Sequence, residues 1–243
     1  MKKSVRLSIA AVCSVALLGG VSSCKKDKTE PTCRINTAST ITSAGNSLLT
    51  LSYLSDGRLS SVTSTGVTSF NRTFTYSGNM INIIDRDTTG AVTATCDVTL
   101  NAQGNVNSAI TKNATGAIQS SMSMIYDGNN RLQYLISSGT TGTDTTKVIV
   151  AEGNVTSTIA NSDISVFSYY HDKYFMDGDY LKFIQMLNFG ALYVVNRNLL
   201  KSIATNTTTT NIAYEFDNAG KIVKATVGDT ANMQTINYTY QCN

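Results

Sequence analysis

The chain contains no tryptophan, a single proline and a single histidine, and its charges nearly cancel. Around the solitary His171 no nucleophile elbow and no His-based triad assembles. Of the 19 basic residues, Lys2, Lys3 and Arg6 lie in an N-terminal leader, which leaves 16 against 16 acidic residues. A neutral chain lacks the electrostatic footprint that polyanions select, which argues against nucleic acid as a partner. Near-absence of proline combined with abundant Ser, Thr, Asn and Gly suits strands with one face on a core and the other in water.

What is present is a phrase. Met124 to Ile136, MIYDGNNRLQYLI, is an apolar run ending in an aromatic, a polar turn, then a second apolar run. That is a β-hairpin written in residues. Variants begin at Leu51, Phe74, Val98, Val148 and Tyr214. Leu49, Leu51 and Tyr53 fall on one face, as do Phe74 and Tyr76, Met122, Met124 and Tyr126, Ile212, Tyr214 and Phe216, and Ile236, Tyr238 and Tyr240. SDG, TTG, AQGN, DGNN, EGN and NAG between them supply the positive φ that tight loops require. The phrase recurs roughly every 24 residues, or two strands. The expectation is an all-β antiparallel meander of about 15 strands in a strongly curved, porin-like or partly closed sheet, because a flat sheet of that size is disfavoured.

The N-terminus reads separately. A basic start followed by the apolar stretch Leu7 to Val21 has the plan of an export signal and is short for a membrane span. It ends at Val21-Ser22-Ser23-Cys24, which resembles the lipobox of bacterial lipoproteins. Residues 1–23 are read as a lipoprotein signal peptide, Cys24 as the lipidated residue, 24–32 as a solvated tether, and 33–243 as one all-β domain. Of the cysteines that remain, Cys33 and Cys242 stand at the two ends of the domain, and in an oxidising compartment a bond between them would join the first strand to the last. Pairings through Cys96 are the alternatives; alternation with Val98 and Leu100 makes Cys96 a buried thiol on the apolar face.

The hairpin array is interrupted near 161–198, where the aromatics concentrate and the histidine lies. Tyr180, Leu181, Ile184, Met186 and Leu187 have helical spacing between Gly178 and Gly190, so the segment reads as an inserted loop or short helix plugging the curved sheet. Insertions in repeat arrays commonly carry the binding face. Tyr169, Tyr170, His171, Asp172 and Tyr174 are therefore the ligand-binding candidates, aromatic faces for stacking on sugars or anchoring a protein. An acid/base or metal site would draw on Asp172, Asp177 and Asp179 near His171. The spacing lacks a ligand motif, and no catalytic residue, metal or cofactor is assigned.

Taken with an NRNLLKSI phrase after the interruption and a terminal TYQC, these features resemble a large group of Bacteroides-type lipoproteins that make up an uncharacterised domain family with a porin-like fold. The hairpin phrase is also similar to YD repeats of bacterial shell proteins. The resemblance implies a sheet curled like a porin wall and a protein lipid-anchored to the outer membrane, facing the periplasm or the cell surface. It implies no activity. Asp87-Thr88-Thr89, Asp144-Thr145-Thr146 and Asp229-Thr230-Ala231 resemble the O-glycosylation acceptor of such bacteria, with Thr88, Thr145 and Thr230 as acceptors at expected turns. The function expected is a non-catalytic binding or structural module of the envelope, with polysaccharide or an envelope protein as ligand; the alternative is an accessory polysaccharide hydrolase.

Overall fold

A computed structural model describes residues 32–140, 142–229 and 232–242. The described residues form sixteen strands and one helix. In chain order the strands are β1 (Cys33–Thr42), β2 (Gly45–Tyr53), β3 (Leu59–Gly66), β4 (Phe70–Ser77), β5 (Met80–Arg86), β6 (Val92–Leu100), β7 (Val106–Asn113) and β8 (Ile118–Tyr126). They continue as β9 (Leu132–Gly139), β10 (Gly142–Ala151), β11 (Asn154–Ala160), β12 (Asp163–Tyr174), β13 (Asn198–Ala204), β14 (Thr209–Phe216), β15 (Ile222–Gly228) and β16 (Met233–Cys242). Helix α1 (Tyr180–Phe189) lies between β12 and β13.

Every strand pairs antiparallel with its sequence neighbours, and β1 pairs with β16 from Cys33↔Cys242 to Ile41↔Thr235. The curvature expected of so many strands therefore runs to full closure, leaving no unpaired sheet edge. Cys33 and Cys242 are disulfide-bonded at the start of this seam. Asp163–Tyr174 is strand rather than insertion, because its alternation still pairs with β11 and β13. The interruption shrinks to the 23 residues between Tyr174 and Asn198.

The turns have one recurring construction. In Asp127–Arg131 the Asp127 carboxylate accepts from the backbone N–H groups of Asn129 and Arg131, while Asn130 sits at φ 59°. The same bonds head Asn101–Asn105, Asn113–Ala117, Asp87–Ala91 and Asp217–Lys221, each with a glycine at the left-handed position. The Asx side chain satisfies donors the ladder leaves free, and the fourth residue must tolerate positive φ.

The polarity of the wall is the reverse of a membrane barrel's. Leu51, Val62, Phe74, Ile83, Val98, Ala109, Met124, Val148 and Ile236, from strands all around the circuit, meet in one core with Phe183 of the helix. Apolar side chains thus point inward and fill the barrel. Outward positions are Thr50, Thr63, Thr73 and Ser123, all exposed. On the same outer face Asp97 takes Lys112 at 2.7 Å and Asn82 at 2.8 Å, and Lys224 meets Glu215 at 2.8 Å. A lipid-facing wall needs a continuous apolar band on the outside; here exposed Leu48, Met80, Ile125, Ile149 and Val166 are interspersed with hydroxyls and ion pairs.

Candidate functional site

The barrel has two unlike ends, and the segment after β12 occupies one of them. There several even strands carry a tyrosine whose hydroxyl donates to a carbonyl near the start of the preceding strand: Tyr53 to Ile35 at 2.8 Å, Tyr76 to Leu59 at 2.9 Å, Tyr169 to Val155 at 2.6 Å and Tyr240 to Ile222 at 2.7 Å. Tyr126 bonds Val106 in the same way. Burial of these rings raises the phenol pKa, to about 12 for Tyr76. The ring of tyrosines also grips the plug, since Tyr126 reaches the carbonyl of Tyr193 and Tyr240 that of Asp177.

Asp179 begins the helix. Its carboxylate caps Lys182 N–H at 3.0 Å and also accepts from Leu200 N–H and the Tyr214 hydroxyl, both at 3.1 Å. The residue is fully buried, and desolvation pushes its carboxyl above the ordinary range against these three bonds. Gly190 at φ 65° closes the helix and returns its N–H to Met186. A Cβ there would press on Phe74 and the Tyr76 hydroxyl. On the apolar face Phe183 meets Tyr238 edge to face at 5.3 Å.

The return to β13 is held by amides. Gln185, 1% exposed, accepts from the N–H groups of Tyr193 and Val194 and donates to the Val194 carbonyl. Asn154 accepts from Arg197 N–H and Asn198 N–H, and Asn196 accepts from Val155 N–H at 2.9 Å. The NRN phrase is thus the clasp that fixes the plug to the wall.

Two clefts flank the plug. One, of about 250 Å³, is lined by Gln103, Asn105, Asn130 and Arg131 with Leu132, Val150, Val155, Tyr193, Val195 and Asn196. The other, of about 240 Å³, lies near the barrel seam, with Arg34, Tyr53, Asp177 and Lys182 around Leu51, Leu59, Phe183 and Met186.

The residues singled out in the sequence separate. Tyr169 is 8% exposed and its hydroxyl is bonded inside the wall, so it belongs to the scaffold. Tyr170 is half-buried, donates to Ile212 at 2.9 Å and stacks edge to face on Tyr214. His171, Asp172 and Tyr174 are exposed beyond the end of the regular ladder, Tyr174 by 66%. Asp177 is paired with Lys182 at 2.6 Å and Asp172 faces Lys173 at 3.7 Å, so Asp172, Asp177 and Asp179 have three different settings. Among the described residues no group of three His, Cys, Asp or Glu is placed to hold a metal ion. Thr88 is exposed in a turn, whereas Thr145 is exposed on β10 opposite Ile136 rather than in the expected turn, because the strand begins at Gly142. Cys24 and Thr230 lie outside the described residues. The two clefts were missed by sequence reading; their residues come from turns and strand ends far apart in the chain, and no local pattern marks them.

No family model and no curated protein matches this chain. Among solved structures it is similar to a porin-like protein from Bacteroides uniformis ATCC 8492, at 14% identity and a TM-score of 0.59, over 85% of this chain and 98% of that one. At this identity the likeness is one of fold: a closed antiparallel barrel. A TcdB2–TccC3–Cdc42 assembly, at 16% identity and a TM-score of 0.25, and a Photorhabdus luminescens Tc holotoxin pore, at 12% and 0.21, match over 78% and 83% of this chain. This chain spans only 11% and 14% of those two.

Proposed function

We propose that this protein is a non-catalytic binding module of the cell envelope, tethered through a lipidated Cys24, whose plugged end takes a saccharide. The observation that carries the reading is the 250 Å³ cleft, in which the neutral amides of Gln103, Asn105 and Asn130 stand beside Tyr193, Val150 and Val195. The Gln103 and Asn105 amides each carry a donor and an acceptor side by side, suited to sugar hydroxyls, Asn130 adds its amide N–H while its oxygen accepts from Asn101, and the apolar side chains suit the flat C–H face of a pyranose. The filled, hydroxyl-coated barrel supports the reading from the other direction, because it leaves no lumen for a channel to use and presents the cleft on a rigid rim.

Isothermal titration of the full chain against a panel of polysaccharides is the test. Saturable heat with at least one glycan is expected, weakened by Gln103→Ala and by Asn105→Ala. Absence of heat with every glycan would contradict the reading. A protein partner is the second reading, favoured by Tyr174 and Val195, which are 66% and 60% exposed around the same segment. It predicts that Tyr174→Ala and Val195→Ser abolish cross-linking to an envelope protein while glycan titrations stay flat.

A further inference from the structure

The cleft near the seam shares no lining residue with the amide cleft and carries a different chemistry. Three charged side chains line it. Lys182 and Asp177 neutralise one another at 2.6 Å, but Arg34 makes no ion pair among the described residues. Asp56, on the adjacent turn, is already held by Arg58 at 2.6 and 2.9 Å. The half-buried Arg34 is positioned by packing instead. Its guanidinium lies 5.7 Å from the centre of the Tyr53 ring. It also crosses the turn at Gly57, where an added Cβ would collide with it, at a backbone φ of 90° that itself favours glycine. A cation is therefore fixed, close to Asp56 but in no salt bridge among the described residues, beside a cleft lined by Leu51, Leu59, Phe183 and Met186.

A guanidinium fork matches a carboxylate in two parallel hydrogen bonds, and the apolar floor suits a hydrocarbon body. We propose that this cleft binds a small amphiphilic carboxylate, its head on Arg34 and its short chain against Leu59, Phe183 and Met186. The volume of about 240 Å³ restricts the ligand to fragment size.

Octanoate serves as the probe, followed by the methyl resonances of ¹³C-methionine in the full chain. Saturable movement of Met186 is expected, with Met80, which is exposed on the outer wall, unmoved. Octanol, which has the chain without the charge, and acetate, which has the charge without the chain, should each bind far more weakly. Arg34→Gln should weaken octanoate roughly tenfold or more, the effect of losing a charged hydrogen-bond pair. The methyl titration of the unaltered chain stands even if that variant fails to fold. No saturable shift at Met186, equal shifts with octanol and octanoate, or unchanged octanoate affinity in a folded Arg34→Gln protein would each overturn the proposal.

Discussion

The two ends of the barrel are built from the same hairpins and do different things. Towards the plugged end, strands carry Tyr53, Tyr76, Tyr126, Tyr169 and Tyr240, and the rings tie neighbouring strands together and hold the segment after β12. At the opposite end the inward positions of β8 to β10 become small or polar, as in the pairs Ser120↔Gly139, Ser137↔Asp144 and Gly139↔Gly142. Where the plug lies, tyrosine hydroxyls meet both strand and plug carbonyls, whereas at the other end the ring of Phe70 packs on the core beside Arg72. The repeat supplies a uniform wall, and the interruption fills one end of it and forms the two clefts there.

This contrast can be broken first at the seam. Reducing Cys33–Cys242, which links residues 209 apart, should lower stability by about 5 kcal/mol in the chain-entropy account, read as a fall in the urea midpoint. Removing the plug's anchor comes next: Phe183→Ala should cost about 3 to 5 kcal/mol, whereas Ile164→Ala, 45% exposed near the far end, should cost under about 1.

Asp179→Ala removes a helix cap and strands Leu200 N–H and the Tyr214 hydroxyl, for an expected loss of about 3 kcal/mol. Its pH dependence has a definite sign. Burial raises the folded carboxyl above its unfolded value, so this group's contribution is complete below the unfolded pKa and is lost as pH rises through the folded one. The stability advantage of the native chain over Asp179→Asn should accordingly shrink from acid toward neutral pH, as measured by urea titrations along a pH series. The smallest effect is Tyr76→Phe, about 1 kcal/mol for one hydrogen bond to Leu59, against a negligible change for Thr63→Ala on the outer wall.

Much of the strand pattern was legible, because period-two alternation and Asx-Gly turns are local properties. Tyr214, Ile212 and Phe216 show their shared face in the sequence, as do the aspartates and asparagines that head the turns. Closure was less so, since the β1–β16 ladder joins residues some 200 apart and no local signal sets that register. The direction of curl was not legible at all: alternation shows that one face is wet, and a porin wall and this wall alternate alike. What decides it is the apolar helix, which must be covered and therefore turns the apolar face inward. Tyr169 and Tyr170 looked like a ligand platform because they are aromatic and adjacent; their hydroxyl partners, Val155 and Ile212, lie on other strands. In the sequence Asp179 is only one of three carboxylates near His171 that an acid/base or metal site would draw on. Its place just before an apolar helical run was the available sign of a cap.

The hydroxyls and ion pairs of the outer face predict a wall in contact with water, and substituted-cysteine labelling checks this. Single cysteines at Thr50, Thr63, Thr73 and Ser123 in the full chain, within intact envelopes opened on both sides, would be offered a membrane-impermeant maleimide. All four should label rapidly, while cysteine at inward Val98 stays protected. A band of protection across the outward positions, with labelling only at the two rims, would mean that lipid surrounds the barrel and would contradict the account.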